Sequence, residues 1–355
     1  MEQRIGIIGI GAIATGRHIK ELLNVKECKI TAICDVDPQK LALWGDKLGL
    51  DEGHRFTDYN QLIQCPEVDA VEICTPNYLH IPMATAAVRA GKAIQVEKPL
   101  STRLACCQSL KEALAESPVP NMMSFSYRFM PAVRYAKWII DQGLLGEIIN
   151  LDVAYLKDSA FMEGRKLEWR FIKEYAGTGV LGDLGVHLID MAELLAGPIR
   201  EVCAVTEIVI KRRQREDSEE YGDVETDDYC SFIAKMDNGI KSNFVITRCA
   251  LGQKNTIKYD IYGTKGILSF NLNDPEVLGV CVGEVDRMSG AIHTVKVPKK
   301  FYITQEQAFV NLLNGSECDY LPTVANGLHG QQVLDALQDS AENNRWTAIT
   351  RSPIA

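Results

Sequence analysis

The feature that most constrains the fold is a glycine turn between a strand and a helix near the start of the chain. An apolar run, Arg4 to Ile8, ends in the segment Gly9-Ile10-Gly11-Ala12-Ile13-Ala14, and a helical pattern follows. Gly9 suits a tight turn, Gly11 lets a phosphate approach the backbone, and Ala14 lets helix and strand pack closely. Free backbone amides and the positive helix end suit a pyrophosphate. We therefore predict that a dinucleotide cofactor is bound by Gly9, Ile10, Gly11, Ala12 and Ile13.

A second predicted strand, Lys29 to Cys34, ends at Asp35. Asp35 lies about as far beyond the glycines as a carboxylate that bonds the adenosine ribose hydroxyls. No lysine or arginine follows until Lys40, so a 2'-phosphate would meet a negative charge, which favours NAD over NADP. In an alternative interpretation, Asp35 and Asp37 only form the turn before the next helix.

Strands and helices continue to alternate beyond this pair. Strands are predicted at Ala70 to Cys74 and Ala93 to Glu97, with a helix at Ile81 to Ala90 between them. Such alternation indicates crossover connections and a doubly wound parallel sheet, in which ligands bind beyond the carboxyl ends of the strands. Two of these strands are followed at their carboxyl ends by mostly polar segments. The remaining predicted cofactor contacts lie there: Thr75, Pro76, Asn77, His80, Glu97 and Lys98.

Lys98 is also a candidate for the chemistry. A lysine ammonium at a strand end can donate a hydrogen bond to a carbinol oxygen and lower the pKa of that hydroxyl while hydride leaves. A solvated surface lysine is the alternative, and the position at the mouth of the predicted cleft favours the functional interpretation.

The stretch from Gly177 to Met191, GTGVLGDLGVHLIDM, is the second candidate site. A helical pattern begins at Asp183, so Asp183 and His187 lie on the same side, one turn apart. A carboxylate and an imidazole presented together can handle a proton. Alternatively, Asp183 caps the helix and His187 is a core histidine.

A length of 355 residues favours two domains. We predict a cofactor domain over residues 1–124 and a substrate and oligomerisation domain over residues 125–355. The second domain is expected to be α+β, with a large and mostly antiparallel sheet. Its strand candidates are Ile148 to Leu156, Ile199 to Ile210, Tyr229 to Met236, Ile240 to Thr247, Lys258 to Tyr262 and Ile267 to Asn271, and terminal helices are predicted at Gln305 to Asn314 and His329 to Asn343.

Composition excludes several classes of function. A net charge of -9 and a pI near 5.3 argue against nucleic acid as the main partner. The basic run Lys211 to Arg215 is followed by acidic residues and is predicted to be a solvated loop. Eleven scattered cysteines suit reduced thiols in the cytoplasm and provide neither a disulfide framework nor a zinc site, so no metal is expected. No apolar run approaches a membrane span.

Several motifs occur in one order and together resemble the glucose-fructose oxidoreductase, inositol dehydrogenase and rhizopine-catabolism (Gfo/Idh/MocA) family. The resemblance covers nearly the whole chain. It is carried by Gly9-x-Gly11-x-x-Ala14, Asp35, Thr75-Pro76-Asn77-x-x-His80, Ala90-Gly91-Lys92, Glu97-Lys98-Pro99, Ser126-Tyr127-Arg128-Phe129 and Gly182-Asp183-x-Gly185-x-His187-x-x-Asp190.

The resemblance implies an NAD-dependent dehydrogenase that oxidises a secondary alcohol of a sugar, cyclitol or glycoside to a ketone, with C3 of a glucose-type ring or an inositol favoured. It implies His187 as general base, Lys98 as its assistant and Asp183 as a group that holds a substrate hydroxyl or orients the lysine. It also implies a homodimer or homotetramer. The alternatives are an enzyme that retains and recycles NAD, for redox exchange or for elimination and glycoside cleavage, and a non-catalytic sensor of NAD and sugar.

Further substrate contacts are predicted around the second stretch. Tyr127 and Arg128 follow the predicted domain boundary directly. Trp169 offers a flat apolar face to a sugar ring, and Arg170 could bond its hydroxyls. A buried tryptophan beside a surface arginine is the alternative interpretation of that pair.

Overall fold

The structure is a computed structural model that describes residues 2–350, and the chain forms two compact units. Within the described residues, the first unit contains residues 2–125 together with Ile303–Leu328, and the second contains Ser126–Tyr302 and residues 329–350. The prediction of one continuous second domain is therefore wrong, because residues 303–328 return to the first unit. The predicted second domain ends at residue 355, and residues 351–355 lie outside the described part.

The first unit is built on a six-stranded parallel sheet with the order β3-β2-β1-β4-β5-β6. This is the strand order of a doubly wound dinucleotide-binding fold, as the alternation of strands and helices predicts. The central strands are apolar and buried on both faces, which suits a sheet covered on both sides. The strands are Gln3–Ile8 (β1), Cys28–Cys34 (β2), Arg55–Phe56 (β3), Ala70–Ile73 (β4), Ala93–Val96 (β5) and Asn121–Met123 (β6).

Helices cover this sheet, and one of them comes from late in the chain. Val310 of that late helix is buried in the same apolar core as Ile5 and Ile33, which explains why residues 303–328 belong to the first unit. The helix predicted from Ile81 instead begins at Asn77 and passes through Pro82. The helices are Ile19–Leu22 (α1, after a π-helical turn at Ala14–His18), Pro38–Leu48 (α2), Tyr59–Gln64 (α3), Asn77–Arg89 (α4), Gln108–Glu116 (α5) and Gln305–Leu313 (α10).

The second unit is built on a nine-stranded sheet with the order β16-β15-β14-β13-β7-β12-β11-β8-β17. Only β7 and β12 pair in parallel in this sheet, and the other neighbours are antiparallel. The strands are Ile148–Lys157 (β7), Ile199–Glu207 (β8), Tyr229–Met236 (β11), Lys241–Thr247 (β12), Asn255–Gly263 (β13), Gly266–Asn271 (β14), Val277–Val282 (β15), His293–Lys296 (β16) and Thr347–Ala348 (β17).

One face of this sheet carries the core of the second unit. Phe232 and Phe244 stack there with ring centroids 4.2 Å apart. The buried hydroxyl of Tyr259 donates a hydrogen bond of 2.8 Å to the carbonyl of Leu188, which holds the helix Val186–Ala196 (α8) against the sheet. The other helices of this unit are Pro131–Asp141 (α6), Lys173–Ala176 (α7), Glu284–Ser289 (α9) and the part of Val324–Asn343 (α11) that begins at His329.

Two expectations for this unit need correction. The run Lys211 to Arg215 is not only a solvated loop, because Arg212–Gln214 (β9) pairs with Tyr221–Asp223 (β10) and Arg213 is buried. The helix predicted from His329 begins at Val324. None of the helices within residues 2–350 is long and apolar enough to cross a membrane.

Candidate active site

The glycine turn of the first unit has the geometry that its sequence predicts. Gly9 has a φ of +91°, and a Cβ at this position would lie 2.9 Å from the backbone of Cys74, so only glycine fits without strain. A Cβ at Gly11 would meet no protein atom within 4 Å. The backbone beside Gly11 therefore faces open space, which suits the close approach of a phosphate group.

Asp35 lies against this turn. Its Oδ2 accepts a 2.7 Å hydrogen bond from the amide of Ile10, and its Oδ1 accepts one of 3.0 Å from the amide of Asp37. The Nζ of Lys40 lies 3.8 Å from Oδ1. Asp37, not Asp35, caps the next helix by accepting from the amide of Gln39. The proposed role of Asp35 in binding the ribose thus remains a prediction, and the alternative interpretation describes Asp37.

His80 does not have the environment expected of a cofactor contact. It is fully buried in α4, and its ring nitrogens lie 2.8 Å from the carbonyl oxygens of Thr75 and Pro99. Burial lowers the pKa of His80. A direct contact of His80 with the cofactor stays a prediction; in the structure its side chain holds together the two strand ends that carry Thr75 and Lys98.

The side chain of Glu97, like that of His80, forms hydrogen bonds with the protein itself. Its Oε1 lies 2.9 Å from Nε2 of His18, and its Oε2 accepts a 3.1 Å hydrogen bond from the backbone amide of Lys98. Glu97 is buried, whereas Lys98 is partly exposed and precedes a cis peptide bond to Pro99. The carboxylate of Glu97, predicted to contact the cofactor, thus supports the segment that presents Lys98.

His18 lies at the centre of a buried polar cluster that we did not predict. Its Nδ1 lies 2.8 Å from Oε1 of Glu306 and 3.3 Å from Oε2 of Glu72. Each ring nitrogen of His18 faces a carboxylate oxygen, an arrangement that favours a ring protonated at both nitrogens. Burial disfavours this cation, but the charge and hydrogen bond of Glu306 help to raise the pKa of His18 well above its ordinary value.

The acidic groups around His18 differ in how readily they ionise. Burial raises the pKa of the Cys74 thiol to about 11, so Glu306 is the anion that stabilises the His18 cation at neutral pH. Burial also opposes ionisation of Glu306, but the charge and hydrogen bond of His18 outweigh it and lower the pKa of Glu306. Burial and the nearby charge of Glu306 raise the pKa of Glu72.

The cluster contains a trio of residue types that can ligate a metal ion. The ligand-type atoms of His18, Glu72 and Cys74 lie within 4.8 Å of one another. A ring that carries protons on both nitrogens has no lone pair to donate to a metal. In the structure both ring nitrogens of His18 face carboxylate oxygens, of Glu306 and Glu97, so we describe the cluster as an ion-pair network.

In the second unit, the partly buried carboxylate of Asp227 shapes the glycine-rich stretch. Asp227 accepts hydrogen bonds of 2.6 Å and 3.0 Å from the amides of Gly179 and Leu181. A Cβ at Gly179 would lie 1.9 Å from the carbonyl oxygen of Asp227, so this close approach requires glycine. The predicted single helix is in fact a π-helical turn at Leu181–Gly185 followed by α8. Such π turns are frequent at functional sites.

This turn presents Asp183 and His187 within the same helical segment. Asp183 is partly exposed, and His187 is buried with 7% of its surface exposed. The ring of Tyr127 lies 4.5 Å from that of His187, and its hydroxyl bonds the hydroxyl of Tyr155 at 2.8 Å. Burial, Tyr127 and the charge of Asp183 raise the pKa of Tyr155, so Tyr155 remains a neutral phenol. The second unit thus combines a carboxylate, an imidazole and a phenol pair.

Arg128 has a role within the second unit itself. Its guanidinium forms two hydrogen bonds, of 2.8 Å and 2.6 Å, with the carboxylate of Asp190, and both side chains are buried. Burial raises the pKa of Asp190 despite the charge of Arg128. A contact of Arg128 with the substrate stays a prediction; in the structure Arg128 ties the turn Ser126–Phe129, which carries Tyr127, to the helix that carries His187.

Trp169 and Arg170 form part of a short helical turn, Trp169–Phe171. The Arg170 guanidinium lies 4.4 Å from the centre of the Trp169 ring and 3.1 Å from Glu168. Both side chains are partly exposed, so the interpretation of Trp169 as a buried core residue is wrong. Their contact with a substrate remains a prediction.

Two family profiles match the chain. Residues 3–125 match the oxidoreductase family with an NAD-binding Rossmann fold, and residues 133–269 match the Gfo/Idh/MocA C-terminal domain. The chain belongs to the Gfo/Idh/MocA oxidoreductase family. Its first unit is an NAD-binding domain, as the glycine turn predicts.

Named members of this family resemble the chain over most of its length. Levoglucosan dehydrogenase of Pseudarthrobacter phenanthrenivorans is 33% identical, over 89% of this chain and 88% of the relative. Glucose-6-phosphate 3-dehydrogenase of Bacillus subtilis is 26% identical, over 98% of this chain and 99% of the relative. A solved levoglucosan dehydrogenase in complex with NADH and L-sorbose superposes with a TM-score of 0.89 at 27% identity, over 98% of this chain and 99% of that structure.

Sequence reasoning missed His18, Tyr155 and Asp227 in this Gfo/Idh/MocA protein. A signal for the His18 cluster exists in the sequence, since Glu72 and Gln95 interrupt two otherwise apolar strands and face each other in register. A charged residue inside a buried strand requires a partner. Tyr155 and Asp227 gave no comparable signal, because each pairs with a segment distant in the sequence.

The open space beside Gly11 leads to a first prediction. Gly11→Ala should leave the free energy of unfolding within about 1 kcal/mol of the wild type, because the added methyl group meets no protein atom. It should weaken NADH binding about tenfold or more, because the methyl group occupies the space that the phosphates approach. Fluorescence titration with NADH and urea unfolding measure the two effects. Gly16→Ala, which also meets no atom within 4 Å, is the matched control. Wild-type affinity in Gly11→Ala would contradict this assignment.

The buried imidazolium leads to a second prediction. The raised pKa of His18 means that folding takes up a proton, so its stabilising contribution is complete below pH 6.5 and declines as the pH rises towards the folded-state pKa. We expect the free energy of unfolding to fall between pH 6.5 and 9 by up to about 1.4 kcal/mol per pH unit for this proton. In His18→Asn this fall should be smaller. Urea unfolding at several pH values measures it.

The control for that experiment is His293→Asn, which changes an exposed histidine of the second unit. It should keep the wild-type dependence of stability on pH. Equal slopes for His18→Asn and the wild type would mean that His18 is not protonated on folding.

Proposed function

We propose that this protein is an NAD-dependent dehydrogenase that oxidises a secondary alcohol of a sugar, cyclitol or glycoside to a ketone. The observation that supports the proposal is the presence of Asp183 and the nearly buried imidazole of His187 in consecutive helical turns, with the Tyr127 ring 4.5 Å from that of His187. The relatives support the substrate class, since their names include levoglucosan dehydrogenase and glucose-6-phosphate 3-dehydrogenase. We favour C3 of a glucose-type ring or an inositol as the position oxidised.

The first unit holds the cofactor in this proposal. The glycine turn from Gly9 to Ile13 receives the pyrophosphate, Asp35 receives the adenosine ribose, and Thr75, Pro76 and Asn77 line the neighbouring strand end. NAD supplies the acceptor for the hydride that leaves the carbinol carbon. The fit is supported by the open backbone at Gly11 and by the carboxylate at the end of β2.

The protein side chains handle the hydroxyl group. His187 takes the hydroxyl proton as general base, since an imidazole is matched to proton transfer near neutral pH. Lys98 donates a hydrogen bond to the same oxygen as negative charge develops on it. Asp183 accepts a hydrogen bond from a neighbouring substrate hydroxyl, and Trp169 with Arg170 contacts the ring. The alcohol thus loses a hydride to the cofactor and a proton to His187.

A substrate panel with variants tests this function. We expect NADH to appear when NAD is supplied with one or more of the anhydrosugars, hexoses, sugar phosphates, inositols and glycosides. His187→Asn should lower kcat about 100-fold or more, and Lys98→Ala should lower it in the same direction, because each removes a group that acts on the reacting oxygen. Lys29→Ala, an exposed lysine of β2, and His293→Asn are the matched controls. Absorbance at the NADH band gives the rates.

Two results would contradict the proposal. The first is full turnover in both Lys98→Ala and His187→Asn with the substrate that the panel identifies. The second is that no substrate of the panel yields NADH while denaturation of the protein releases bound nucleotide. That result would favour the enzyme that retains NAD or the sensor.

We also propose that the protein is a homodimer or homotetramer, joined through the face of the nine-stranded sheet opposite Tyr259. Val205, Ile233 and Val245 project from that face and are 57%, 45% and 36% exposed. Adjacent apolar residues on an uncovered sheet face favour association. The cysteine pattern supports a cytoplasmic location for this assembly.

Sedimentation tests the assembly. We expect the wild type to sediment at a multiple of 39.4 kDa and Ile233→Asp to shift towards the monomer, because a carboxylate would be desolvated in the contact. Met288→Asp, at an 83% exposed position on α9, is the control and should not change the mass. An Ile233→Asp variant with the wild-type mass would place the contact elsewhere.

A further inference from the structure

We propose that His18 is a positioning residue for Lys98 and acts through the carboxylate of Glu97. The inference rests on the proposed function, in which Lys98 contacts the reacting oxygen. His18 lies in the turn that follows the glycines, whereas Glu97 and Lys98 follow β5. A single imidazolium therefore joins the cofactor turn to the segment that carries Lys98.

The first link runs from His18 to the Lys98 backbone. Nε2 of His18 lies 2.9 Å from one oxygen of Glu97, and the other oxygen of Glu97 accepts a 3.1 Å hydrogen bond from the amide of Lys98. The amide of Glu97 itself donates to the carbonyl of Ile73 in β4 at 3.0 Å. Both ends of the Glu97 side chain are thus fixed, and the carboxylate sets where the Lys98 backbone lies.

The second link anchors His18 from the opposite side. Its Nδ1 lies 2.8 Å from Glu306, the second residue of α10. Gln95 donates to both oxygens of Glu306, at 3.1 Å and 2.9 Å, and Gln305 donates to one of them at 3.0 Å. His18, Gln95, Gln305 and Glu306 are each no more than 1% exposed. The ring of His18 cannot turn without breaking a charge-assisted hydrogen bond at each end.

The free-energy cost of burying the charges of His18 and its carboxylate partners argues for a role beyond stability. Removing charges from water costs several kcal/mol per ion, and packed apolar side chains of similar volume often stabilise a core equally well. What an apolar core cannot provide is a fixed direction for the Glu97 carboxylate. The titratable groups that face His18 are Glu72 of β4, Cys74 after it, Glu97 after β5 and Glu306 of α10. Among them, Glu97 also bonds the amide of a candidate catalytic residue.

Loss of His18 should change kcat more than it changes the binding of NAD. Without His18, the Glu97 carboxylate loses a partner that fixes its orientation, and Lys98 is presented less accurately. Misplacement of a catalytic group lowers kcat, while an interaction that binds ground state and transition state equally would change KM. We expect His18→Asn to lower kcat about tenfold or more and to change KM for NAD by less than about threefold.

A double-mutant cycle separates positioning from a general loss of stability. His18→Asn, Lys98→Ala and the double variant are compared with the wild type in kcat and in unfolding. If His18 acts through Lys98, His18→Asn lowers kcat by less than about twofold once Lys98 is alanine. An equal loss of kcat in both backgrounds overturns the proposal. Thr85→Val is the control, since Thr85 is a buried polar residue of α4 that bonds Ser109.

Glu306→Gln replaces His18→Asn if the latter does not fold. The amide oxygen of glutamine still accepts from His18, but the anion that stabilises the imidazolium is lost. A drop in kcat in the same direction, again absent when Lys98 is alanine, supports the proposal, and an unchanged kcat overturns it.

Lysine labelling tests the positioning without turnover. Brief acetylation with acetic anhydride, followed by peptide mass spectrometry, gives the reactivity of Lys98 relative to the exposed Lys29. We expect this ratio to change at least about threefold in His18→Asn and to stay constant in Thr85→Val. An unchanged ratio overturns the positioning role. Failure of the proposed function has a different signature: wild-type turnover is absent, or Lys98→Ala leaves it intact, while the labelling ratio still responds to His18.

Discussion

Each segment that contains candidate site residues is held by a carboxylate. That carboxylate accepts hydrogen bonds from backbone amides of the segment or from an arginine side chain in it. Asp35 binds the amide of Ile10 in the glycine turn, and Glu97 binds the amide of Lys98. Asp227 binds the amides of the stretch that precedes Asp183, and Asp190 binds Arg128. Such charge-assisted hydrogen bonds are about twice as strong as neutral ones. A loop fixed in this way keeps its side chains in place without packing.

Burial makes these carboxylates costly, and the cost is visible in their ionisation. Desolvation raises the pKa of Asp227 and of Asp190, even though amide donors oppose this for Asp227 and Arg128 opposes it for Asp190. Removing one partner would leave a buried polar group unsatisfied, which is expensive. The loops are therefore held in one arrangement, which is what a preorganised catalytic site needs.

The sequence predicted the fold of each unit well, because the relevant signals are local. The glycine turn, the alternating elements and the strand ends all lie within short stretches, and the parallel sheet follows from them. The return of residues 303–328 to the first unit gave no local signal, since Val310 is buried against strands some 300 residues earlier. The strands β15 and β16, near one edge of the second sheet, were missed for a different reason: short strands have weak sequence patterns.

The motifs of the candidate site were recognised in the sequence, but the hydrogen bonds that several of their members form with the protein were not. Among the motif residues, Gly11 adjoins open space that suits contact with a ligand, whereas His80, Glu97 and Arg128 bond the protein itself. A motif records every residue that a site requires, and supporting residues are required as strictly as contacting ones. Only burial and hydrogen-bond partners distinguish the two, and both are set by tertiary structure. For this reason His18 can help to position Lys98 together with Glu97, although His18 belongs to none of the motifs that carry the family resemblance.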